Sequence, residues 1–186
     1  MDTLVHLGAE PNECDFMTRL LPANIVGTYN VMDSARRHNL RRVVLASSMQ
    51  VMNGLWKKVE YPVKTEYGTA PTNHYGVTKV FAEALGHMYS RSFKMSVIVA
   101  RIAWLTRNAG EARSMQKSPF SIDFFLSHDD AGRFFLKAVE AENIDFCILV
   151  AASKWKTRQL FDLEPAKNLI GYEPQDQFPE GLPFNV

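Results

Sequence analysis

Tyr75-Gly-Val-Thr-Lys79 sets a phenol and an ammonium four residues apart, which on a helix puts both on one face about one turn from each other. A free phenol ionises near pH ~10 and is a feeble base at neutral pH, but a neighbouring cation favours the phenolate. Such a pair can draw the proton from an alcohol. The same spacing also arises when a lysine stem lies across a ring on a helical surface, so the chemistry needs a third group. Ser48, the second of the Ser47-Ser48 pair, offers a hydroxyl to hold the reacting oxygen from the side opposite the phenol. The alternative for the two serines is a helix cap or a turn leaving a strand.

These groups need elements to bring them together. Arg42-Val-Val-Leu-Ala46 predicts a buried strand that delivers Ser47 and Ser48 at its end. Tyr75, Lys79, Ala82, Glu83, Gly86 and Tyr89 recur at three- and four-residue steps, predicting a long helix over 74–93. Upstream, Thr3 to Leu7 reads as a buried strand emerging into Gly8 and Ala9. A helical pattern then runs from Phe16 to Ala35, with Pro22 at a start or kink and Asn39 closing it. Residues 49–73 read as a polar loop. Downstream come a strand over Met95–Ile102 and a substrate-side region over 103–126 of mixed polarity, with helical pieces. A helix follows from an N-cap at Ser127, with Asp129 and Asp130 in its first turn, to Ala141. A strand over Ile144–Val150 and a short helix over Leu160–Ile170, stopped by Gly171, complete the order.

That rhythm is an α/β fold, a parallel sheet covered on both faces, which binds ligands at the carboxyl ends of its strands. The residues to watch are then Gly8 and Ala9, Ser47 and Ser48, Ile102 to Trp104, and those from Ala151 onward. The reading divides the chain into a main domain over 1–150 and a small extension over 151–186. Twenty-one basic against twenty acidic side chains give a net charge of +1, with no basic block to meet a run of phosphates, so nucleic acid is not an expected partner. Cys14 and Cys147 lie far apart and without metal-ligand spacing, which argues against a disulfide framework or a zinc site. No stretch is long and apolar enough for a signal sequence or a membrane span. A cytoplasmic protein is expected.

Asp2-Thr-Leu-Val-His-Leu-Gly-Ala9, Asn24-Ile-Val-Gly-Thr-Tyr-Asn30, Arg42-Val-Val-Leu-Ala-Ser-Ser48, Tyr75-Gly-Val-Thr-Lys79 and Arg101-Ile occur in that order. Together they resemble the successive landmarks of extended short-chain dehydrogenase/reductases, the NAD-dependent epimerase/dehydratase family. Within that branch the likeness is to uronate dehydrogenases, through Tyr75 to Glu83, the Arg113-Ser-Met segment and Phe125 to Asp130. The resemblance implies a Rossmann-type doubly wound sheet and hydride transfer between a sugar or sugar-acid hydroxyl and NAD, with NADP also compatible.

Position by position, the resemblance makes Tyr75 the general base, has Lys79 favour its phenolate and hold the nicotinamide ribose, and has Ser48 position the reacting oxygen. Leu7, Gly8 and Ala9 would lie along the cofactor, and Ile102 with Leu105 would border the nicotinamide. Asn24 would sit on the helix behind the site, either in a functional role or as a buried cap of backbone groups. Arg113 would pair with a substrate carboxylate, its alternative being a solvated loop residue. Where the uronate-oxidising relatives carry small polar, amide and imidazole groups, this sequence has Pro11, Met49, Gln50, Ala103 and Trp104. Such a pocket offers fewer hydrogen bonds to a polyhydroxylated acid, which argues for a different sugar derivative.

The family also opens with a Gly-rich turn of GxxGxxG type that holds the cofactor pyrophosphate at a helix N-terminus. None of the ten glycines here are spaced that way. On this resemblance the chain starts at the family's fourth strand, an N-terminally truncated and incomplete version of the sheet, short of its first strands by about 60 residues at ~30 per strand-helix unit. Its first strand is then expected at an apolar edge. Two further readings stay open: a sugar-nucleotide epimerase or dehydratase, and a non-catalytic protein that dimerises through the helices of Ile25–Arg37 and Tyr75–Tyr89. Family members pair through those helices, so a homodimer is expected under each reading.

Overall fold

The structure, a computed structural model, describes residues 2–185. In chain order its regular elements are β1 (Thr3–His6), α1 (Gly27–Arg37), β2 (Arg42–Ser48), α2 (His74–Phe93), β3 (Ser96–Ile102), β4 (Trp104–Leu105), α3 (Ala109–Met115), α4 (Pro119–Ile122), β5 (Phe125–Leu126), α5 (His128–Glu140), β6 (Phe146–Ala151) and α6 (Glu164–Ile170). The chain forms two compact units. The first takes in the chain up to Lys58 with Gly68–Arg101 and Glu142–Ile148; the second takes in Val59–Tyr67, Ile102–Ala141 and the chain from Leu149 onward. Both units are discontinuous in sequence.

The first unit is built on a sheet of order β1-β2-β3-β6, to which the opening residues of β6 contribute. β1 and β2 run parallel, Thr3 opposite Arg42 and His6 opposite Leu45. The strands also start level: Arg42 N–H donates to Asp2 O at 3.1 Å, Ser96 N–H to Arg41 O at 3.1 Å and Val97 N–H to Asp145 O at 2.8 Å. Their carboxyl ends therefore leave the sheet on one side, as the alternation of strands and helices predicts. β2 and β3 are buried on both faces, with Val43, Val44, Val97, Ile98, Val99 and Ala100 all fully buried, which is why they read as continuous apolar runs. β1 ends the strand order and is more open, Val5 being 37% exposed.

The helix before α1 starts at Asp15, whose carboxylate accepts from Thr18 N–H at 2.8 Å. It is wound wide over Phe16–Val26, so that Gly27 N–H reaches five residues back to Pro22 O. The sequence marks the cause, since proline supplies no N–H and its ring crowds the turn before it. The helix ends as predicted, with His38 N–H on Ser34 O at 3.0 Å and Asn39 in the left-handed region at φ 53°.

α2 lies over β2 and β3 at Gly86, where a Cβ would stand 2.9 Å from Leu45 Cδ1 and 3.0 Å from Val97 Cγ1. Glycine is needed there for close approach to a core that also includes Met32, Ala35, Tyr89 and Val99. Gly86→Val is expected to lower the unfolding free energy by about 1–3 kcal/mol through overpacking, read from the urea midpoint; an unchanged midpoint would show that α2 can lift at no cost.

Residues 49–73 differ from the polar loop the sequence suggested. Met49–Leu55 forms a short 3₁₀ helix with Met49, Val51 and Met52 fully buried. Ala70 N–H donates to Val51 O and Gly54 N–H to Ala70 O, both at 2.8 Å. The apolar residues here follow neither a helical nor an alternating period, so periodicity could not reveal their burial.

The second unit pairs β4 with β5 in parallel, Trp104 opposite Phe125, over a small core of Ala112, Met115, Phe125 and Phe178. α5 begins where predicted, Ser127 Oγ accepting from Asp130 N–H at 2.8 Å. Asp130 itself is fully buried and accepts from Arg133, Ser153 and Gln175 N–H, tying the C-terminal stretch to α5. α6 stops at Gly171, φ 67°. Among the described residues no helix is long and apolar enough to cross a membrane.

Candidate active site

The start of α2 is fixed by two acceptors. Asn73 Oδ1 accepts from Gly76 N–H at 2.8 Å, and Glu13 accepts from Tyr75 N–H at 2.7 Å and faces His74 Nδ1 at 2.9 Å. Both satisfy donors that a helix start leaves open. The hydrogen bond from the Tyr75 backbone, before that from His74, holds the Glu13 carboxyl below the ordinary range. Asn73 is legible in the sequence as a cap. Glu13 is not, because its partner lies more than sixty residues away.

One turn on, Tyr75 and Lys79 are each 7% exposed, and the Lys79 Nζ stands 5.6 Å from the centre of the Tyr75 ring. Lys79 Nζ donates to Ala46 O at 3.0 Å, so the ammonium reaches across to the end of β2. Burial alone pulls its pKa down from the ordinary 10.5 to about 8. This is a cation withdrawn from water beside a phenol ring.

Ser48 ends β2, 9% exposed. Its Oγ accepts from Gln50 N–H at 3.2 Å, so the capping reading of this serine describes a bond that exists; it leaves the hydroxyl proton to be donated elsewhere. Gln50 Oε1 accepts from Asn73 Nδ2 at 2.9 Å, which ties the segment after Ser48 to the start of α2. Met49 is fully buried. The two residues after the serine thus face the protein's own groups in this structure.

Gly8, Ala9 and Glu10, just beyond β1, line an open cleft of about 590 Å³ with Thr18, Arg19, Pro22 and Ala23, and Leu7 is 54% exposed. A Cβ on Gly8 would meet only the His6 ring, at 3.5 Å or more, so this glycine leaves space rather than closing a packing contact. Asn24, 2% exposed, clamps the lining: its Oδ1 accepts from Glu10 N–H at 2.7 Å and its Nδ2 donates to Glu10 O at 3.1 Å. The same Nδ2 reaches Thr78 Oγ1 at 3.0 Å, and Thr78 Oγ1 donates to Tyr75 O at 2.7 Å. Asn24 thereby couples the strand end to the helix carrying the phenol. Burial, and secondly the charge of Lys79, hold the His6 imidazole below its ordinary pKa. Glu13, Asn73, Thr78 and His6 are the site residues that sequence reasoning did not single out.

Ile102, Trp104, Leu105 and Arg113 belong to the second unit. Ile102 closes β3, Trp104 and Leu105 form β4 and all three are half-buried; Arg113 is exposed on α3.

The donor set fits one part of a dinucleotide. Tyr75, Lys79, Ser48 and the small residues after β1 suit a nicotinamide and its ribose, whereas among the described residues no Gly-rich turn of the pyrophosphate-binding type occurs.

A parallel sheet with a phenol, a buried ammonium and a serine near the carboxyl ends of its strands is a Rossmann-type arrangement. The model of the NAD dependent epimerase/dehydratase family matches residues 1–117, and the chain belongs to that family. It is 30% identical over 190 residues to the L-arabinose 1-dehydrogenase (NAD(P)(+)) of Haloferax volcanii, covering 94% of this chain and 74% of that protein. It is 35% identical over 126 residues to the uronate dehydrogenase of Agrobacterium fabrum, covering 68% of this chain and 46% of that one. The solved uronate dehydrogenase from Agrobacterium tumefaciens, a variant complexed with NAD, superposes with a TM-score of 0.76 at 26% identity, over 94% of this chain and 62% of that one. The chain thus spans between about half and three quarters of these relatives.

Proposed function

We propose that the chain carries the proton-transfer centre of an NAD-dependent dehydrogenase acting on a hydroxyl of a sugar or sugar acid. The observation that carries this reading is Lys79, buried beside Tyr75 and anchored on Ala46 O at the end of β2. Tyr75 accepts the substrate hydroxyl proton at its phenol oxygen, Ser48 holds that hydroxyl in place, and the Lys79 charge favours the phenolate form. Lys79, Leu7, Gly8 and Ala9 hold the nicotinamide end of the cofactor. NAD, when bound, supplies the hydride acceptor. The likeness to uronate dehydrogenases gives Arg113 a substrate carboxylate as its partner, which favours an acidic substrate.

The related dehydrogenases support this class over a nucleotide-sugar epimerase, since the solved UDP-glucuronic acid 4-epimerase of Bacillus cereus shares the fold at only 18% identity. The same reading makes the protein a cytoplasmic homodimer joined through α1 and α2, whose Tyr29, Val77 and Met88 are exposed. The test is NADH formation by the full chain with NAD and, separately, L-arabinose and a hexuronate. Turnover of either supports the reading, and the better substrate decides the role of Arg113. Absence of turnover on both, together with absence of NAD binding, would overturn it.

A further inference from the structure

Glu83 lies one turn beyond Lys79 on α2, 5% exposed. Its carboxylate meets Arg101 of β3, itself 1% exposed, through two hydrogen bonds, Arg101 Nε to Oε1 at 2.9 Å and Arg101 Nη2 to Oε2 at 2.8 Å. Glu83 Oε1 also accepts from Ser47 Oγ at 2.6 Å, and Arg101 Nη1 reaches Met52 Sδ at 3.1 Å. The pair therefore joins β2, α2, β3 and the turn after Ser48 inside the first unit.

A buried ion pair is poor evidence for stability, because desolvating two charges costs about as much as their attraction returns, and well-packed apolar replacements are often as stable. What such a pair can supply is register. Three points fix the end of β2 against α2 here: Ala46 O on Lys79, Ser47 Oγ on Glu83, and Gln50 on Asn73. Ser48 sits between the second and third. We propose that Glu83 and Arg101 are positioning residues, which through Ser47 set the register of the β2 end on α2 and so the placement of Ser48 against Tyr75 and Lys79. Their purpose in catalysis rests on the dehydrogenase reading, while the register itself is a property of the chain alone.

The test is amide hydrogen exchange in three variants. Ser47→Ala removes the link and leaves the ion pair intact. It is expected to speed exchange of the amides of Ser47 to Gln50 by about fivefold, the loss of one hydrogen bond of about 1 kcal/mol, while amides of Val97 to Ala100 keep their rates. Glu83→Leu with Arg101→Met is expected to do the same with little change in thermal midpoint. Glu83→Gln keeps one acceptor oxygen but turns an amide N–H toward Arg101 Nη2 and leaves the buried guanidinium uncompensated, so it is expected to speed exchange at Ser47 to Gln50 and to lower the thermal midpoint. Should Ser47→Ala leave the Ser47 to Gln50 amides unchanged, or speed all amides alike, the register role is overturned even if the double variant fails to fold. Turnover separates the two ideas. If the unsubstituted chain turns over, Ser47→Ala is expected to lower kcat by up to about a hundredfold through misplacement of Ser48, with KM for NAD unchanged; an unchanged kcat refutes the catalytic purpose. If the unsubstituted chain neither turns over nor binds NAD, the dehydrogenase reading falls and the exchange result alone decides the register.

Discussion

Tyr75→Phe is expected to cut hydride transfer by about 10²–10⁴-fold, the usual worth of a positioned acid-base group, while leaving NAD affinity within about twofold. The substitution removes one oxygen and keeps the ring, so the Lys79 ammonium still faces an aromatic surface. It also leaves the Tyr75 backbone bonds to Glu13 and Thr78 untouched, so α2 keeps both its start and its coupling to Asn24. Steady-state rates with cofactor titration separate the two quantities. Turnover within tenfold of the parent would remove the phenol from the reaction and move attention to another base.

Lys79→Met is expected to be inactive and yet more stable at neutral pH. Burial has lowered the Lys79 pKa from 10.5 to about 8, so at pH 7 the folded chain keeps an ammonium in a site that disfavours it, at a cost on the order of 3 kcal/mol. Replacing it also removes the donor to Ala46 O, a loss of about 1–3 kcal/mol. The balance is a gain of about 1 kcal/mol at pH 7. Between pH 8 and 10.5 the unfolded chain holds the proton more firmly than the folded one, so the parent gains stability as pH rises through that window and the advantage of Lys79→Met disappears, then reverses. Urea unfolding at pH 7 and pH 10 checks the change of sign. A difference that stays constant with pH would mean that Lys79 is not desolvated. Under the proposed function, Lys79 is then kept for the reaction at a cost in stability, a trade expected at active sites.

Much of this site was legible in the sequence because its landmarks are local. The phenol and ammonium announce themselves by helical spacing, Ser48 by ending an apolar run, and Ser127 and Asn39 by their positions at helix ends. The family followed from the order of such landmarks, and the matching family model agrees with it. The contacts that hold the site in place are long-range and left no local mark. Glu13 caps a helix that begins more than sixty residues later, and Asn24 binds Thr78 across fifty-four. Residues 49–55 were misread for a related reason: Met49, Val51 and Met52 are buried in a 3₁₀ turn too short to display a period. Within β4 and β5, two-residue strands are likewise below the length at which alternation can be recognised.

The discontinuous make-up of the two units bears on how the chain folds as it is made. β6, the outermost partner of β3 in the sheet order, follows β3 only after residues 103–141, which belong to the second unit. During synthesis the first unit must therefore wait with one flank of β3 uncovered until Glu142–Ile148 leaves the ribosome, while intervening sequence condenses elsewhere. An unpaired apolar strand held open for that interval is a natural client for a chaperone and a nucleus for aggregation. Expression of this protein should accordingly respond more to holdase supply and growth temperature than its folded stability alone would suggest.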